Sequence, residues 1–484
     1  MSAAGIAVQA GRFSFGSDAA QSRPAKPNIL WIVAEDLCPD LHCYGTPLVK
    51  TPNIDKLAAE GAMFTNTFTT APVCSASRSA ILTGMYQTAI NAHHHRSPQI
   101  PPLPGGVRFA TEYFRKAGYF TCNTQSLNWD KGGKIDCNFQ IPKIPYDGTD
   151  WRDRRPDQPF FAQVQFGETH RGFARDPKNP IDPDSVQVPP YYPDHPLTRR
   201  DWADYLEYIQ ILDRKIGKVL ERLREDGLED NTIVFFFADH GRPHVRGKQY
   251  LYEGGIHIPL IIRWPGHIRP GTVHEDLVSG IDLLPTCLTM ANLGVPEFMQ
   301  GRSFWGPNVQ KREYLISSRD RIDETYDRVR CVRTRKLKYL RNFYPNQPYV
   351  QINVVPRLVL PVLTLMKVLH QEGQLTPAQA AFMAKTRPDE ELYDLERDPH
   401  EMNNVASDPA YRPHLEHMRS ILKKWIVETN DHGRDREDPE IAENVRRDFW
   451  KTIYEPRMKK RGLDPHLTSQ EYLTYWQKKM LSRK

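Results

Sequence analysis

The chain has 484 residues, of which 39% are hydrophobic and 26% are charged, so it is long enough to bury the cores of two soluble domains. Its formal net charge of +6 is small for this length, and Lys and Arg are not gathered into one tract, so the charge does not indicate a nucleic-acid partner. No stretch can span a membrane, since the best candidate, residues 354–368, is interrupted by Arg357, Pro361 and Lys367.

The first 26 residues are rich in Ala, Ser and Gly. They lack the apolar central region of a signal peptide. We interpret them as a disordered lead-in or as the remnant of an export segment.

Four apolar segments that end abruptly in polar residues are the clearest structural signal. They are predicted to be strands, and they occupy residues 28–34, 119–123, 159–166 and 232–238. Continuous apolar runs of this length are typical of strands that are buried on both faces of a parallel-rich sheet. Helical patterns lie between them at residues 53–61, 75–85, 108–117 and 201–224. The alternation predicts an α/β sandwich with its ligand site at the carboxyl ends of the strands.

After residue 306 the pattern changes. Residues 329–340 are predicted to form two short strands joined by a basic turn, residues 392–395 another strand, and residues 409–429 a helix. An inserted helical stretch is predicted at residues 354–383. The proposed division of the chain is a lead-in (1–26), a catalytic domain (27–306), a smaller C-terminal α+β domain with an antiparallel sheet (307–430) and a charged helical tail (431–484).

Cys74 is the residue with the strongest chemical signal. The chain has seven cysteines without zinc-site spacing, and the odd count leaves at least one of them unpaired in a monomer. Cys74-Ser-Ala-Ser-Arg78 opens a predicted helix and is followed by Leu82-Thr-Gly84. The positive end of that helix and the Arg78 guanidinium both favour an anion. Taken alone, the motif also fits a buried Cys before an ordinary helix.

This segment resembles the signature of the type I sulfatases, Cys-x-Pro/Ala-Ser-Arg followed by Leu-Thr-Gly, a family of the alkaline phosphatase-like superfamily. The resemblance implies a large mixed, mostly parallel sheet flanked by helices. It also implies that a maturation enzyme oxidises Cys74 to formylglycine. A further matching segment from Glu390 to Val405 extends the resemblance over residues 27 to about 428.

Two acidic pairs, Glu35-Asp36 and Asp239-His240, close predicted strands. Carboxylates indicate a hard cation, because a zinc site would normally use more His or Cys. Either pair alone could simply cap a loop. The resemblance implies that both pairs, together with the modified Cys74, hold one Ca²⁺ ion. Glu35 stands where the family usually has Asp, and His240 is the less common alternative to Asn.

Two further residues match the family pattern. Lys248, before Tyr-Glu-Gly-Gly, resembles the Lys that contacts the sulfate, and His170 resembles the His that protonates the leaving group. The family's Gly-Lys-Trp-His-like segment is missing, since Ser126 and Asn128 stand at its spacing. We hypothesise that Lys131 reaches back to replace its Lys.

Two clusters carry weaker signals. His93-His-His95-Arg96 is interpreted as a loop that contacts the sugar or as a plain solvated loop. Arg319-Asp320-Arg321 is interpreted as a substrate-recognition cluster or as a surface salt-bridge cluster.

The sequence therefore predicts a sulfatase that hydrolyses a sulfate ester, with Cys74, Arg78, His170 and Lys248 as catalytic residues. A basic turn and an aromatic-rich stretch at residues 339–349 favour a sulfated carbohydrate as substrate. The alternatives are a sulfamidase that acts on N-sulfated glucosamine, a phosphoester hydrolase of the same superfold, and an inactive relative that binds sulfated glycans. The resemblance implies a periplasmic or secreted protein.

Overall fold

The computed structural model describes residues 26–307, 309–351, 358–435 and 437–482. Its strands are β1 (Asn28–Ala34), β2 (Ala62–Phe68), β3 (Phe120–Gln125), β4 (Asn128–Gly132), β5 (Phe160–Phe166), β6 (Thr232–Ala238), β7 (His257–Arg263), β8 (Thr272–His274), β9 (Val278–Ser279), β10 (Leu315–Arg319), β11 (Val329–Arg333), β12 (Leu337–Asn342) and β13 (Glu390–Asp394). Its α-helices are α1 (Pro52–Glu60), α2 (Cys74–Ile81), α3 (Ala110–Lys116), α4 (Pro196–Glu225), α5 (Glu253–Ile256), α6 (Leu283–Met290), α7 (Pro361–Gln371), α8 (Pro377–Phe382), α9 (Arg412–Glu428), α10 (Pro439–Phe449), α11 (Glu455–Lys460) and α12 (Ser469–Leu481).

The large sheet has the order β4-β3-β5-β1-β6-β7-β2-β8, and β9 also pairs with β2. The strands β3, β5, β1 and β6 run parallel to one another, whereas β7 is antiparallel to both of its neighbours. The predicted α/β architecture with a mixed, mostly parallel sheet is confirmed. The predicted strands at residues 28–34 and 232–238 coincide with β1 and β6.

Both faces of the central strands are covered, which explains their unbroken apolar sequences. Every residue of β1, β5 and β6 is buried. In β1, Leu30 and Ile32 pack into a core that includes α4, whereas Trp31 and Val33 pack into a second core that includes α6. Full burial of one such side chain contributes roughly 1.5–3 kcal/mol, so these strands fix the centre of the sheet.

The smaller sheet has the order β10-β11-β12-β13 and is antiparallel throughout. Helix α9 packs on it through Leu415, Met418, Leu422 and Trp425. The two strands and basic turn predicted at residues 329–340 correspond to β11 and β12. Strand β10 was not predicted. The proposed division at residue 306 falls in the connection between α6 and β10.

The tail folds back onto the rest of the chain. Five buried apolar side chains of the tail form one cluster with α4 and α7, and they are Tyr454, Met458, Tyr472, Leu473 and Trp476. The inserted stretch predicted at residues 354–383 contains α7 and α8, while residues 354–357 lie outside the described residues, as does the predicted lead-in apart from Lys26. Across the described ranges, no helix combines the length and the apolar character needed to cross a membrane.

The Arg319-Asp320-Arg321 cluster is internal, so its interpretation as a surface salt-bridge cluster is wrong. All three side chains are buried. Arg319, the last residue of β10, pairs with Asp327, and Arg321, two residues beyond the strand, pairs with Glu437. Asp320 accepts a hydrogen bond from Arg330 at 2.9 Å.

All seven cysteines lie within the described part of the chain, and each has a free thiol. Cys38, Cys122, Cys287 and Cys331 are buried, as is Cys74. Burial raises the pKa of the Cys38 thiol to about 11 and that of the Cys331 thiol to about 12, which keeps both protonated and unreactive at neutral pH.

Candidate active site

The two acidic pairs meet because their strands are neighbours. β1 and β6 run side by side with Ala34 opposite Ala238, so the residues that follow each strand emerge at the same edge of the sheet. The backbone N–H of Asp36 donates to Asp239 Oδ1 at 3.0 Å. Asp36 and Asp239 are fully buried there. Two carboxylates that are far apart in sequence are thus held against each other by sheet pairing.

Cys74 is the first residue of α2 and points at these carboxylates. Its buried Sγ lies 3.2 Å from His240 Nε2 and 3.9 Å from Asp36 Oδ1. Lys248 Nζ lies 3.3 Å from the same sulfur atom. The structure therefore brings the predicted nucleophile together with both acidic pairs and with the predicted sulfate-binding Lys.

Arg78 lies one turn further along α2. Its Nε donates to Asp239 Oδ2 at 2.9 Å, and its Nη1 donates to Gln165 Oε1 at 2.9 Å. The buried Nη2 has no hydrogen-bond partner among the described residues, although Glu35 Oε1 lies 3.6 Å away. A buried donor without an acceptor is costly, so this nitrogen is suited to an anion that enters the site.

Lys248 and His170 face the same group from other loops. Lys248 Nζ donates to both oxygens of Asp36 at 2.9 Å. His170 follows β5, and its ring lies with Glu35 and Asp36 in a group whose ligand atoms are all within 4.8 Å of one another. Asp36 favours the charged imidazole, but burial and Lys248 together outweigh it and lower the pKa of His170.

The charges of the site hold one another ionised. Burial opposes ionisation of Asp36, but Lys248 and His240 outweigh it and hold the pKa of that carboxyl well below its usual range. Burial also opposes the charge on His240, but Asp239 and Asp36 raise its pKa to about 10. For Asp239, the pull of His240 and Arg78 exceeds the effect of burial and lowers the pKa to about 2.

Lys134 is a site residue that was not predicted. Its Nζ lies 3.2 Å from Glu35 Oε2 and 3.3 Å from Asp136 Oδ2. The hypothesis that Lys131 fills this place is corrected, because Lys131 is exposed on β4 and it is Lys134 that pairs with Glu35. The sequence feature that could have indicated Lys134 is the preceding Gly132-Gly133 pair. A Cβ on Gly133 would lie 2.5 Å from Asn123 Oδ1, so only glycine lets the chain pass this close to β3.

The His93–His95 segment is not a solvated loop, and that interpretation is wrong. His93 and His95 are buried, with relative exposures of 4% and 3%. His95 Nδ1 lies 2.6 Å from Ser75 Oγ, and His95 Nε2 lies 3.7 Å from Asp323. His95 therefore supports the start of α2 beside Cys74.

The donor set fits a divalent cation. Besides the group that contains His170, ligand atoms of Asp36, Cys74 and His240 lie within 4.8 Å of one another. Glu35 and Asp239 add two more carboxylates next to Asp36. Oxygen donors predominate, which suits a hard ion such as Ca²⁺ or Mg²⁺ better than zinc.

Family models match most of the catalytic region. The model named Sulfatase matches residues 27–146 and 143–293. The model named N-sulphoglucosamine sulphohydrolase, C-terminal, matches residues 241–346. Together these matches contain every residue of the site described above.

Individual proteins give the same result. An ulvan-active sulfatase from Formosa agariphila is 33% identical over an alignment of 461 residues, which covers 84% of this chain and 76% of that protein. Human N-sulphoglucosamine sulphohydrolase is 28% identical over 463 aligned residues, and the alignment covers 84% of this chain and 91% of that protein. The structure of a phosphonate monoester hydrolase from Silicibacter pomeroyi superposes with a TM-score of 0.60 at 19% identity, covering 84% of this chain and 97% of that one, which shows a shared fold alone. The chain belongs to the sulfatase family of sulfuric ester hydrolases.

Proposed function

We propose that the chain hydrolyses a sulfate ester on a sulfated carbohydrate, with Cys74 converted to formylglycine and one Ca²⁺ ion bound beside it. The observation that carries the proposal is the position of Cys74 Sγ, which has His240, Lys248 and Asp36 within 3.9 Å at the start of a helix. A buried, cation-lined pocket at a helix N-terminus favours a tetrahedral anion next to residue 74.

The metal would be held by Glu35, Asp36, Asp239 and His240, with the modified residue 74 as a further ligand. When bound, such an ion would withdraw electron density from the nucleophilic hydroxyl and lower its pKa. The carboxylates need no deprotonation to bind it, since the pKa values of Asp36 and Asp239 are already held low, whereas the proton that these two carboxylates stabilise on His240 would be displaced by the ion. Lys248 would then be released in part from Asp36 and be free to contact the sulfate.

As formylglycine, residue 74 would supply a geminal diol, of which one hydroxyl attacks sulfur while the other lets the aldehyde re-form as sulfate leaves. An unmodified Cys74 would instead be left with a sulfur–sulfur adduct that has no such exit. Conversion requires a maturation enzyme, which is the one protein partner of the proposal.

The remaining residues would stabilise charge and move one proton. Arg78, through its unpartnered Nη2, and Lys248 would neutralise the oxygens of the sulfuryl group, with Lys134 close by. His170 would protonate the departing alcohol oxygen. The pKa of His170 is low in the absence of substrate, and the negative charge of a bound sulfate would raise it, so substrate binding itself would favour the acid form.

A sulfamidase is the second candidate. It is supported by the match of residues 241–346 to the C-terminal model of N-sulphoglucosamine sulphohydrolase. An inactive, glycan-binding relative was supported by Ser126 and Asn128 alone, and Lys134 beside Glu35 removes much of that support. The phosphoester alternative would call for a Ser or Thr nucleophile and a His-rich pair of metal sites rather than Cys74 with three carboxylates.

The test is sulfate release from a panel of O-sulfated and N-sulfated glycans by protein that was produced together with a formylglycine-generating enzyme. The proposal predicts release from O-sulfated members and none from a Cys74→Ala variant. Release from N-sulfated members alone would establish the sulfamidase instead. Binding of the glycans without release by fully converted protein would refute a hydrolase of either kind.

The proposal includes a periplasmic or secreted location, because a charged polysaccharide does not cross a lipid bilayer unaided. Cell fractionation with an antibody to the chain tests this. Recovery in the cytoplasmic fraction alone would contradict it.

A further inference from the structure

A cavity of about 310 Å³ opens beside the site, with Asp36, His170 and Lys248 in its lining. This volume is at the lower end of the range of roughly 300–1,000 Å³ that is usual for small-molecule pockets. Part of its wall comes from the C-terminal third of the chain, through Val359, Leu360, Phe449, Ile453 and Arg457. The tail therefore contributes to the pocket that a substrate would enter.

This part of the wall is firmly placed. Arg457 lies on α11 between Tyr454 and Met458, and both of these neighbours are fully buried. They belong to the cluster that joins α11 to α4, α7 and α12. Because Met458 is the next residue along, the direction of Arg457 is set by the packing of the helix rather than by a loop.

Arg457 is a cation without a counter-charge. Its side chain is exposed, and no described residue forms a hydrogen bond or an ion pair with it. Its neighbours differ: Lys459 lies 3.9 Å from Glu455, and Arg461 donates to Tyr472 Oη and to the Leu358 carbonyl. An unpaired guanidinium in the wall of a pocket is suited to bidentate recognition of a carboxylate or a sulfate.

The positive charge of the cavity exceeds what one sulfate ester requires. Lys248 is engaged with Asp36 and Arg171 with Asp201. Arg96 has a 3.7 Å ion-pair contact with Asp136, its side chain is 49% exposed, and Asp323 and Glu35 also act on its charge from further away. A sulfate ester carries a single negative charge, and it would be met by the cations next to Cys74. Arg457 and Arg96 are left for another anionic group.

We propose that Arg457 binds a second anionic group of the substrate, a carboxylate or a second sulfate on the same sugar or on the one linked to it, and thereby sets substrate preference. The inference rests on the proposed function and names the class of substrate more closely: a sulfated oligosaccharide with at least two negative charges. The half-buried side chains of Leu360, Phe449 and Ile453 give the pocket an apolar surface for the faces of the sugar rings.

The position of Arg457 along the chain agrees with a role in specificity. The residues matched by the two family models end at 346, more than a hundred residues before α11. The residues proposed to transfer the sulfate lie inside the matched part of the chain, whereas the part of the cavity wall that contains Arg457 lies outside it.

The experiment uses three disaccharides that carry the same sulfate ester. In the first, the neighbouring sugar is a uronic acid; in the second, it is the methyl ester of that acid; in the third, it is a neutral sugar with a second sulfate. The variants are Arg457→Ala and Arg457→Lys, with Lys460→Ala as a matched control, since Lys460 is an exposed cation on the same helix. The measured quantity is the kcat/KM for each disaccharide.

Loss of one charge-assisted interaction is expected to reduce the preference for a charged disaccharide over the methyl ester about tenfold in Arg457→Ala, mostly through KM. Arg457→Lys should restore part of it, and Lys460→Ala should keep the preference of the parent protein. Dependence on the uronic acid identifies a carboxylate, and dependence on the second sulfate identifies a sulfate. An Arg457→Ala variant with the same preference as the parent protein overturns the inference.

Calorimetric binding to Cys74→Ala protein separates this inference from the proposed function. All three disaccharides are compared with and without the Arg457→Ala substitution in the Cys74→Ala protein. A tenfold loss of affinity for the uronic acid or for the disulfated disaccharide, with unchanged affinity for the methyl ester, supports the inference even if no disaccharide is hydrolysed. Equal affinities for all three disaccharides with and without Arg457→Ala overturn it whatever the turnover is, and melting temperatures report whether each variant is folded.

Discussion

Replacement of Lys134 by Ala should impair turnover severely, although the sequence motif did not point to this residue. Burial favours the neutral amine, but negative charge around Cys74 and Glu35 outweighs it and raises the pKa of Lys134, so the amine is charged at neutral pH. Its Nζ is 3.2 Å from Glu35 Oε2, and its side chain is 27% exposed. At an effective dielectric constant near 20, two unit charges this close interact by about 5 kcal/mol, and solvent exposure reduces this value.

The rise in activation free energy expected for Lys134→Ala is smaller than this Coulomb energy but still large. Removal of one donor that stabilises transition-state charge typically costs about 10²–10³-fold in kcat, or about 2.7–4 kcal/mol. We expect a loss of about 10²-fold for Lys134→Ala and a partial recovery for Lys134→Arg. Sulfate release by matured protein, measured at saturating substrate, gives kcat directly.

Lys131→Ala is the matched control, since Lys131 lies three residues earlier and is exposed on β4. It should change kcat by less than about twofold, because exposed side chains away from a site contribute little. A large loss for Lys131→Ala with normal turnover for Lys134→Ala would refute the assignment of Lys134. It would restore Lys131 as the residue that reaches the site.

Three further predictions concern stability. Arg330 is fully buried and donates to Asp320 at 2.9 Å and to Asp431 at 2.8 Å. Arg330→Ala should therefore lower the free energy of unfolding, measured by chemical denaturation, by about 3–5 kcal/mol. A loss below about 1 kcal/mol would contradict this. Burial raises the pKa of Asp323 to about 6, so ionisation of this carboxyl costs the folded state free energy as the pH rises from about 4 to above 6. Asp323→Asn removes this cost. The free energy of unfolding of the variant should therefore exceed that of the parent protein by up to about 3 kcal/mol above pH 6, and by nothing near pH 4. A melting-temperature difference that stays constant with pH would refute the titration of Asp323. Removal of divalent ions with a chelator should lower the melting temperature, and Ca²⁺ should restore it. A Ca²⁺ concentration of a hundred times Kd should stabilise the folded state by about 2.7 kcal/mol. An unchanged melting temperature would exclude a stabilising ion.

The strands that could be predicted are those whose two faces are both covered. In β1 and β6, every side chain is apolar enough to be buried whichever way it points, so the sequence alone reveals them. Strand β2 was missed because Thr65 and Asn66 interrupt its apolar residues where the pairing with β7 shifts register. That interruption is tolerated only through the tertiary partner, which local sequence does not contain.

The site was predictable in so far as its residues follow strand ends or open a helix. Asp36 and Asp239 belong to strands whose pairing follows from the fold class, and Cys74 opens a helix with a recognisable motif. Lys134 could not be derived in this way, because its place depends on how the chain turns after β4 and passes close to Asn123. The cavity wall with Arg457 was not foreseen either, since it depends on the tail folding back through the cluster around Tyr454.

The central claim is that turnover depends on the chemical state of residue 74. Trypsin releases it in the peptide of residues 57–78, which contains no other cysteine, so the converted fraction can be read from the peptide masses. The decisive measurement is the rate of sulfate release against that fraction, across preparations made with increasing amounts of maturation enzyme. A rate that rises in proportion and extrapolates to zero for unconverted protein is the predicted result. A rate that is independent of conversion would contradict the account.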